Sequence, residues 1–195
     1  ILCYLLMKLA LISTSNKDNL NILVDFLLNN NYNIISTGGT YKYIIDYLQD
    51  SDLVNINNRI IQVEKFTGFP EILNGRVKTL HPKIYGGILY DPEKIEHVED
   101  YKKFNETSYK LEKIDLVVVN LYPFREAVNQ FKEEEEIIEN IDIGGVSLIR
   151  AACKNYKNVM VLTDTNDYQQ FIDTYSYLIT LNLLRKDLAV KAYNI

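Results

Sequence analysis

Short apolar runs alternate along this chain with stretches in which apolar residues recur at helical spacing. The runs predict buried strands, because a strand covered on both faces is apolar throughout. They lie at Leu9–Ser13, Asn33–Ser36, Arg59–Val63, Asp115–Leu121 and Val159–Leu162. The helical spacing predicts helices over Asp18–Asn30, Thr40–Leu48, Val146–Tyr156, Asn166–Tyr177 and Leu183–Tyr193. In the second of these helices we expect the core to be contacted by Tyr43, Ile44, Tyr47 and Leu48.

The alternation of strands and helices indicates an α/β fold, a mainly parallel sheet covered by helices on both faces. Ligands of such sheets lie beyond the carboxyl ends of the strands. There is no internal repeat or change of composition, so we expect a single domain over residues 7–195. Because Met7 is a natural start, we expect Ile1–Leu6 to be a leader without a function.

Composition excludes several classes of protein. The chain has 195 residues, of which 47% are apolar and 24% charged, as in an ordinary globular domain. Its net charge of −5 argues against a nucleic-acid partner. Cys3 and Cys153 form neither a metal motif nor a disulfide framework, which favours a reducing, cytoplasmic compartment. The apolar start is too short to cross a membrane and lacks a cleavage site.

Two loops between a strand and a helix carry hydroxyl and amide groups suited to an anion. In Ser36–Thr40 the glycines Gly38 and Gly39 let a ligand approach the backbone, and Ser36, Thr37 and Thr40 add hydroxyl donors. The alternative is a tight turn capped by Thr40. The loop Ser13–Lys17 repeats the arrangement one strand earlier, with a helix cap at Ser15 or Asn16 as its alternative. Together they favour a shared anion pocket.

A basic segment, Asn74–Lys83, contrasts with the acidic balance of the chain and has no acidic run beside it. If it is extended, Arg76 and Lys78 point the same way. The alternative is a solvated basic loop. His81 precedes a proline, so an orienting role is as consistent with the sequence as a catalytic one.

Asp142 lies between two isoleucines, just before a Gly-Gly pair that starts a helix. It could cap that helix, or it could accept a proton from a substrate. Lys154 follows twelve residues later on the helix face of Val146 and Arg150, where a lysine is ordinarily solvated. The run Glu133–Glu136 is typical of a solvated helix start. No cluster of cysteine, histidine and carboxylate residues has the spacing of a metal site.

Five segments in a fixed order resemble a known family, the inosine-monophosphate (IMP) cyclohydrolase domains of bifunctional purine-biosynthesis enzymes. They are Ala10–Lys17, Ile35–Thr40, Phe66–Leu89, Asp115–Phe124 and Asn140–Lys154, and the match runs from Met7 to Phe171. The resemblance implies a methylglyoxal-synthase-like, Rossmann-like three-layer fold and no cofactor. It also implies the reaction, closure of 5-formamidoimidazole-4-carboxamide ribonucleotide to IMP with loss of water.

The resemblance also assigns roles to residues. It implies a catalytic, proton-transferring Lys154 and an active-site Tyr122. Nucleotide binding, chiefly of the phosphate, is implied for Ser15, Lys17, Ser36, Gly38, Gly39, Thr40, Arg76, Lys78 and Thr79. The resemblance further implies that the pocket for the nucleotide base is lined by Val119, Asn120, Asp142 and Ile143.

The chemistry of the closure is consistent with these residue types. Asp142 would draw a proton from the carboxamide nitrogen, and Lys78, Lys154 or Tyr122 would stabilise the formyl oxygen. Two lysines in one pocket would lower each other's proton affinity.

Three positions depart from the family. Asn16 replaces an aspartate, and Tyr85 and Tyr156 replace histidines beside the site segments. The resemblance implies that the full-length protein also has a formyltransferase domain, which is not in this chain. It also makes a homodimer an expected partner state. Two alternatives stay open: a methylglyoxal synthase, and a regulatory domain that binds a nucleotide without turnover.

Overall fold

Five strands pair side by side into one parallel sheet in the part of the chain that the structure, a computed structural model, describes: residues 7–49, 58–122, 124–130 and 133–195. The strand order is β3-β2-β1-β4-β5. The strands are β1 (Lys8–Thr14), β2 (Tyr32–Ser36), β3 (Ile60–Gln62), β4 (Leu116–Asn120) and β5 (Met160–Leu162). The predicted leader, Ile1–Leu6, lies outside the described residues.

Helices follow the strands and cover both faces of the sheet. They are α1 (Leu20–Asn29), α2 (Gly38–Leu48), α3 (Val63–Thr67), α4 (Pro82–Leu89), α5 (Ile95–Asn105), α6 (Phe124–Gln130), α7 (Glu134–Glu139), α8 (Ile143–Lys154), α9 (Asp167–Thr174) and α10 (Leu178–Tyr193). None of these helices, within the described ranges, has the length and apolarity needed to cross a membrane.

The sheet separates two apolar cores because successive strand residues point to opposite faces. Ala10 and Ile12 of β1 join the core under α1, α2 and α9, whereas Leu9 and Leu11 join the core under α3, α4 and α8. Helix α10 contacts both cores beyond β5. The prediction of a parallel, three-layer α/β fold is confirmed.

The predicted elements are present with ends shifted by up to three residues, and two differences are larger. Tyr47 was expected in the core but is exposed, and its hydroxyl donates to Asp25 Oδ2 at 2.6 Å. The last helix begins at Leu178 instead of Leu183. Of the five added residues only Leu181 is buried, whereas Leu178 and Ile179 are 73% and 80% exposed, so the added turn has no apolar face at helical spacing.

Candidate functional site

A cavity of about 730 Å³ opens at the carboxyl end of the sheet, where β1, β2 and β4 end side by side. Six stretches surround it: the three loops after these strands, the basic segment, the end of α7 and the start of α8. Its lining includes twelve of the sixteen predicted site residues: Ser15, Lys17, Thr37, Gly39, Thr40, Arg76, Lys78, Thr79, Asn120, Tyr122, Asp142 and Ile143.

The start of α2 presents backbone N–H groups to this cavity. Thr37 is the N-cap residue, and its hydroxyl donates to Ser13 Oγ at 3.1 Å instead of capping the helix. A side chain at Gly39 would meet no atom within 4 Å, so a ligand has room beside the backbone. Free N–H groups at a helix start attract anions. The alternative of a cap at Thr40 is wrong, because the Thr40 hydroxyl donates to Thr14 O at 3.1 Å.

Asn120, at the end of β4, holds the loop after β1. Its Oδ1 accepts from the backbone N–H groups of Ser15 at 2.6 Å and Asn16 at 2.9 Å, and its Nδ2 donates to Asn16 O. The expected cap at Ser15 or Asn16 is wrong, since α1 begins only at Leu20, with Asn19 as its N-cap. Asn120 therefore orders the loop that lines the cavity.

Lys17 points its ammonium group back at the end of β1. It donates to Thr14 O and, at 3.3 Å, to Ser15 O. Burial lowers the pKa of Lys17 from its ordinary value. The strand-end carbonyls thus hold a cation at the edge of the cavity.

The basic segment is not extended, so the condition under which Arg76 and Lys78 would point the same way is not met. A 3-10 turn at Leu73–Gly75 folds it back, with positive φ at Leu73 (54°), Asn74 (52°) and Gly75 (90°). A left-handed conformation is uncommon for leucine and is characteristic of strained functional loops. Arg76 follows with helical dihedral angles, φ −65° and ψ −25°.

Each cation of this turn has a carboxylate partner that its immediate sequence did not reveal. Arg76 forms an ion pair with Glu139, and Lys78 Nζ lies 3.1 Å from Glu71 Oε1. The hydrogen bond raises the pKa of Arg76 and lowers that of Glu139. Sequence analysis missed Glu139, which lines the cavity just before the Asn140 motif.

The start of α8 closes the cavity with Asp142 as its N-cap. Asp142 Oδ1 accepts from Gly145 N at 2.7 Å, which confirms the helix cap. The side chain also lines the cavity, and its role as a proton acceptor stays a prediction. A Cβ on Gly144 would lie 2.9 Å from Thr79 Oγ1, which places the buried Thr79 against this helix start. Tyr122 is 58% exposed and lies at the mouth.

Three predicted residues lie close to the cavity without lining it. The hydroxyl of Ser36 is buried and donates to Ile12 O at 3.0 Å. Val119 is 1% exposed and packs in the core below the sheet end. Gly38 opens α2 beside Gly39.

Lys154 is not brought to the cavity, so its expected place there is wrong for the single chain, and its proton-transferring role stays a prediction. It ends α8, about 18 Å from the Asp142 end at 1.5 Å per residue. It lines a separate groove of about 650 Å³ between α8 and α10, together with Arg150, Lys186 and Tyr156. Tyr156 is one of the positions that depart from the family. Lys78 and Lys154 therefore do not share a pocket, and the expected coupling of their proton affinities is also wrong.

His81 has a structural role and does not line the cavity. Its Nδ1 accepts from Lys83 N at 3.2 Å, which caps α4, and its ring stacks on Tyr109. Burial, with the nearby Lys83, lowers the pKa of His81. In the described part of the chain, no three histidine, cysteine or carboxylate side chains are grouped as metal ligands.

A family model described as "MGS-like domain" matches residues 20–147, more than half of the chain. The chain belongs to the MGS-like domain family. Its predicted fold is thereby confirmed, and the bifunctional purine-biosynthesis relatives described next confirm the family resemblance.

Several similar proteins are named "Bifunctional purine biosynthesis protein PurH". One from Prochlorococcus marinus (strain MIT 9301) is 49% identical over 85% of this chain and 29% of its own length. One from Clostridium botulinum (strain Langeland) is 44% identical over 97% of this chain and 36% of its own length. The chain therefore spans about a third of the relatives it matches. A solved structure titled "Crystal structure of ForH" is 26% identical, covers 96% of this chain and 90% of its own, and has a TM-score of 0.76.

Proposed function

We propose that this chain is an IMP cyclohydrolase, which closes 5-formamidoimidazole-4-carboxamide ribonucleotide to IMP with loss of water in the last step of purine biosynthesis. The proposal rests on one observation: Asp142, Lys78 and Tyr122 line the same cavity as the uncapped start of α2. The identity of 49% to a purine-biosynthesis protein supports it.

The phosphate of the nucleotide would lie at the start of α2. The N–H groups there, the ammonium of Lys17 and the guanidinium of Arg76 supply donors around one opening, which Thr37 also lines. Helix starts favour phosphate because of their unpaired N–H groups and their dipole. Gly39 leaves room for the phosphate oxygens.

The reacting groups would then lie between α8 and the basic segment. The carboxamide nitrogen attacks the formyl carbon, and its proton passes to the free oxygen of Asp142, whose other oxygen caps α8. Negative charge develops on the formyl oxygen, and Lys78 or Tyr122 would stabilise it. That oxygen takes up the proton held by Asp142 and becomes a hydroxyl. The hydroxyl then leaves as water with the proton of the formamide N–H, as the C=N bond of the new ring forms. Because both groups belong to one molecule, positioning supplies much of the rate.

Asp142→Asn tests this assignment. Asparagine can still cap α8, so the protein is expected to fold and bind IMP as before. Turnover of the formamido nucleotide, followed by absorbance, is expected to fall at least about 100-fold, the lower range for loss of a general base. If the unmodified chain binds the nucleotide and releases no IMP, a nucleotide-sensing domain is the better description. Formation of methylglyoxal from dihydroxyacetone phosphate would support the remaining alternative.

We further propose that residues 7–195 act as one cyclohydrolase domain, in the cytoplasm, alongside a fused formyltransferase domain. The relatives named as bifunctional are about three times as long, which supports the fusion. A homodimer of the fused protein belongs to the same proposal, and sedimentation at several concentrations tests it.

A further inference from the structure

The ion pair between Arg76 and Glu139 joins two segments that surround the cavity. Arg76 belongs to the basic segment and Glu139 ends α7, 63 positions later in the chain, and both line the cavity. Both side chains are more than half exposed, at 62% and 56%. Arg76, a cation that could bind a ligand in the cavity, is therefore already paired with the carboxylate of Glu139.

An anion that enters this cavity has to compete with Glu139 for the guanidinium. Exposed ion pairs are weak, with coupling energies of about 0.2–1 kcal/mol, so the exchange is feasible. The geometry also permits it, because α7 has only six residues and none of those described is buried. Glu139 can thus move away without disturbing a core.

The outcome of the competition depends on the charge of the incoming group. A carboxylate offers Arg76 the same charge and the same two acceptors as Glu139, so an exchange gains nothing. A phosphate dianion offers more charge and a third acceptor oxygen, and arginine binds it through two parallel hydrogen bonds. The pair would therefore admit phosphates and reject carboxylates.

We propose that Glu139 is a specificity-determining residue, which holds Arg76 in the free chain and yields it only to a phosphate. This inference rests on the proposed function, since it takes the ligand to be a nucleoside monophosphate. It predicts that the loss of the Glu139 charge strengthens anion binding through Arg76 and weakens the discrimination against carboxylates.

Calorimetric titration of the full chain with IMP, inosine and inorganic phosphate tests the proposal. Glu139→Gln keeps the shape of the side chain, and it is expected to lower the Kd for IMP about threefold to fivefold, the worth of an exposed ion pair. Inosine has no phosphate, so its binding should not change. Acetate should compete with IMP in Glu139→Gln more than in the unmodified chain.

Two further variants separate an effect through Arg76 from a general change of charge. In an Arg76→Ala background, Glu139→Gln should have no effect on IMP binding. Glu96→Gln, on the remote helix α5, should have no effect in either background. Thermal unfolding of each variant checks that it is folded.

The proposal is overturned if Glu139→Gln leaves the Kd for IMP unchanged or raises it, or if the gain persists without Arg76. If IMP fails to bind even the unmodified chain, the proposed function is at fault. The titration with inorganic phosphate still decides the role of Glu139 in that case, because a Kd for phosphate that Glu139→Gln does not lower would contradict it.

Discussion

Gly39 and Gly145 lie on the same cavity in opposite surroundings, which gives a matched pair of substitutions. A Cβ on Gly145 would lie 2.4 Å from Asp142 Oδ2 and 2.8 Å from Leu121 Cδ2, whereas one on Gly39 would meet nothing within 4 Å. Gly145→Ala is expected to lower the free energy of unfolding by about 1–3 kcal/mol, as overpacking does. Gly39→Ala is expected to leave it unchanged or raise it, because alanine is the better helix former.

The two variants should also differ in ligand binding. At Gly39 the added methyl group takes the space where a phosphate would approach the backbone, so the Kd for IMP should rise at least about tenfold, equivalent to about 1.4 kcal/mol. Urea denaturation and calorimetry measure the two quantities. Destabilisation by Gly39→Ala, with unchanged binding, would contradict this account of the α2 start.

Lys17 gives a prediction for the dependence of binding on pH. Burial lowers its pKa, so it loses its positive charge at a lower pH than an ordinary lysine. Binding of IMP should therefore weaken as the pH rises through this lowered pKa, below about 10.5. Lys17→Arg keeps its charge and should move this loss to higher pH. Identical alkaline profiles for both proteins, from calorimetry, would show that Lys17 does not bind the phosphate.

At the level of single residues, the sequence revealed which side chains are present but not what they bind. The side chain of Asn120 was expected to contact the ligand. Instead its amide oxygen and amide nitrogen bind the backbone of Ser15 and Asn16. Glu139 was missed because its partner Arg76 is far away in the chain. Contacts of this kind depend on the folded loops, which have no periodicity to read.

At the level of elements, Lys191 of α10 forms ion pairs with the loop after β5 and with the first residue of α9. Lys191 Nζ lies 2.9 Å from Asp164 Oδ2 and 2.8 Å from Asp167 Oδ2, and the side chain of Asp167 is only 11% exposed. Lys191→Met leaves this nearly buried carboxylate without its cation. We expect the free energy of unfolding to fall by about 1.5–3 kcal/mol, in the range of a hydrogen bond to a charged group.

Lys186→Met is the matched control, because Lys186 is exposed on the same helix and no ion pair is recorded for it among the described residues. It should change stability by less than about 0.5 kcal/mol. The pKa of Asp164 is lowered by the backbone N–H of Asn166 and by Lys191, so its stabilisation is present at neutral pH and is lost as the pH falls below about 4. Equal urea midpoints for the two variants at pH 7 would contradict this role of Lys191.

Elements were predictable where burial leaves a pattern. Strand β4, with Leu116 to Val119 all nearly inaccessible, follows directly from its apolar run. Sequence analysis predicted no helix between Val63 and Asp115, yet α3, α4 and α5 lie there. Helix α5 has no buried residue, so no apolar face marked it.

At the level of the whole molecule, topology predicted the place of the cavity but not every residue in it. Parallel strands bring their carboxyl ends to one edge, which explains why the loops at Ser15, Gly39 and Asn120 meet. Lys154 was placed at the cavity by the family resemblance, whereas its helical spacing gave only a face on which a lysine is ordinarily solvated. Twelve positions along α8 separate it from Asp142 by about 18 Å.

The central claim is that a nucleotide binds where β1, β2 and β4 end. A crystal structure of the chain with IMP tests it most directly. The account predicts the phosphate at the N–H groups of the α2 start, beside Lys17, and the base between Asp142 and Lys78. IMP bound instead in the groove of Lys154 and Arg150, with the first cavity empty, would contradict it.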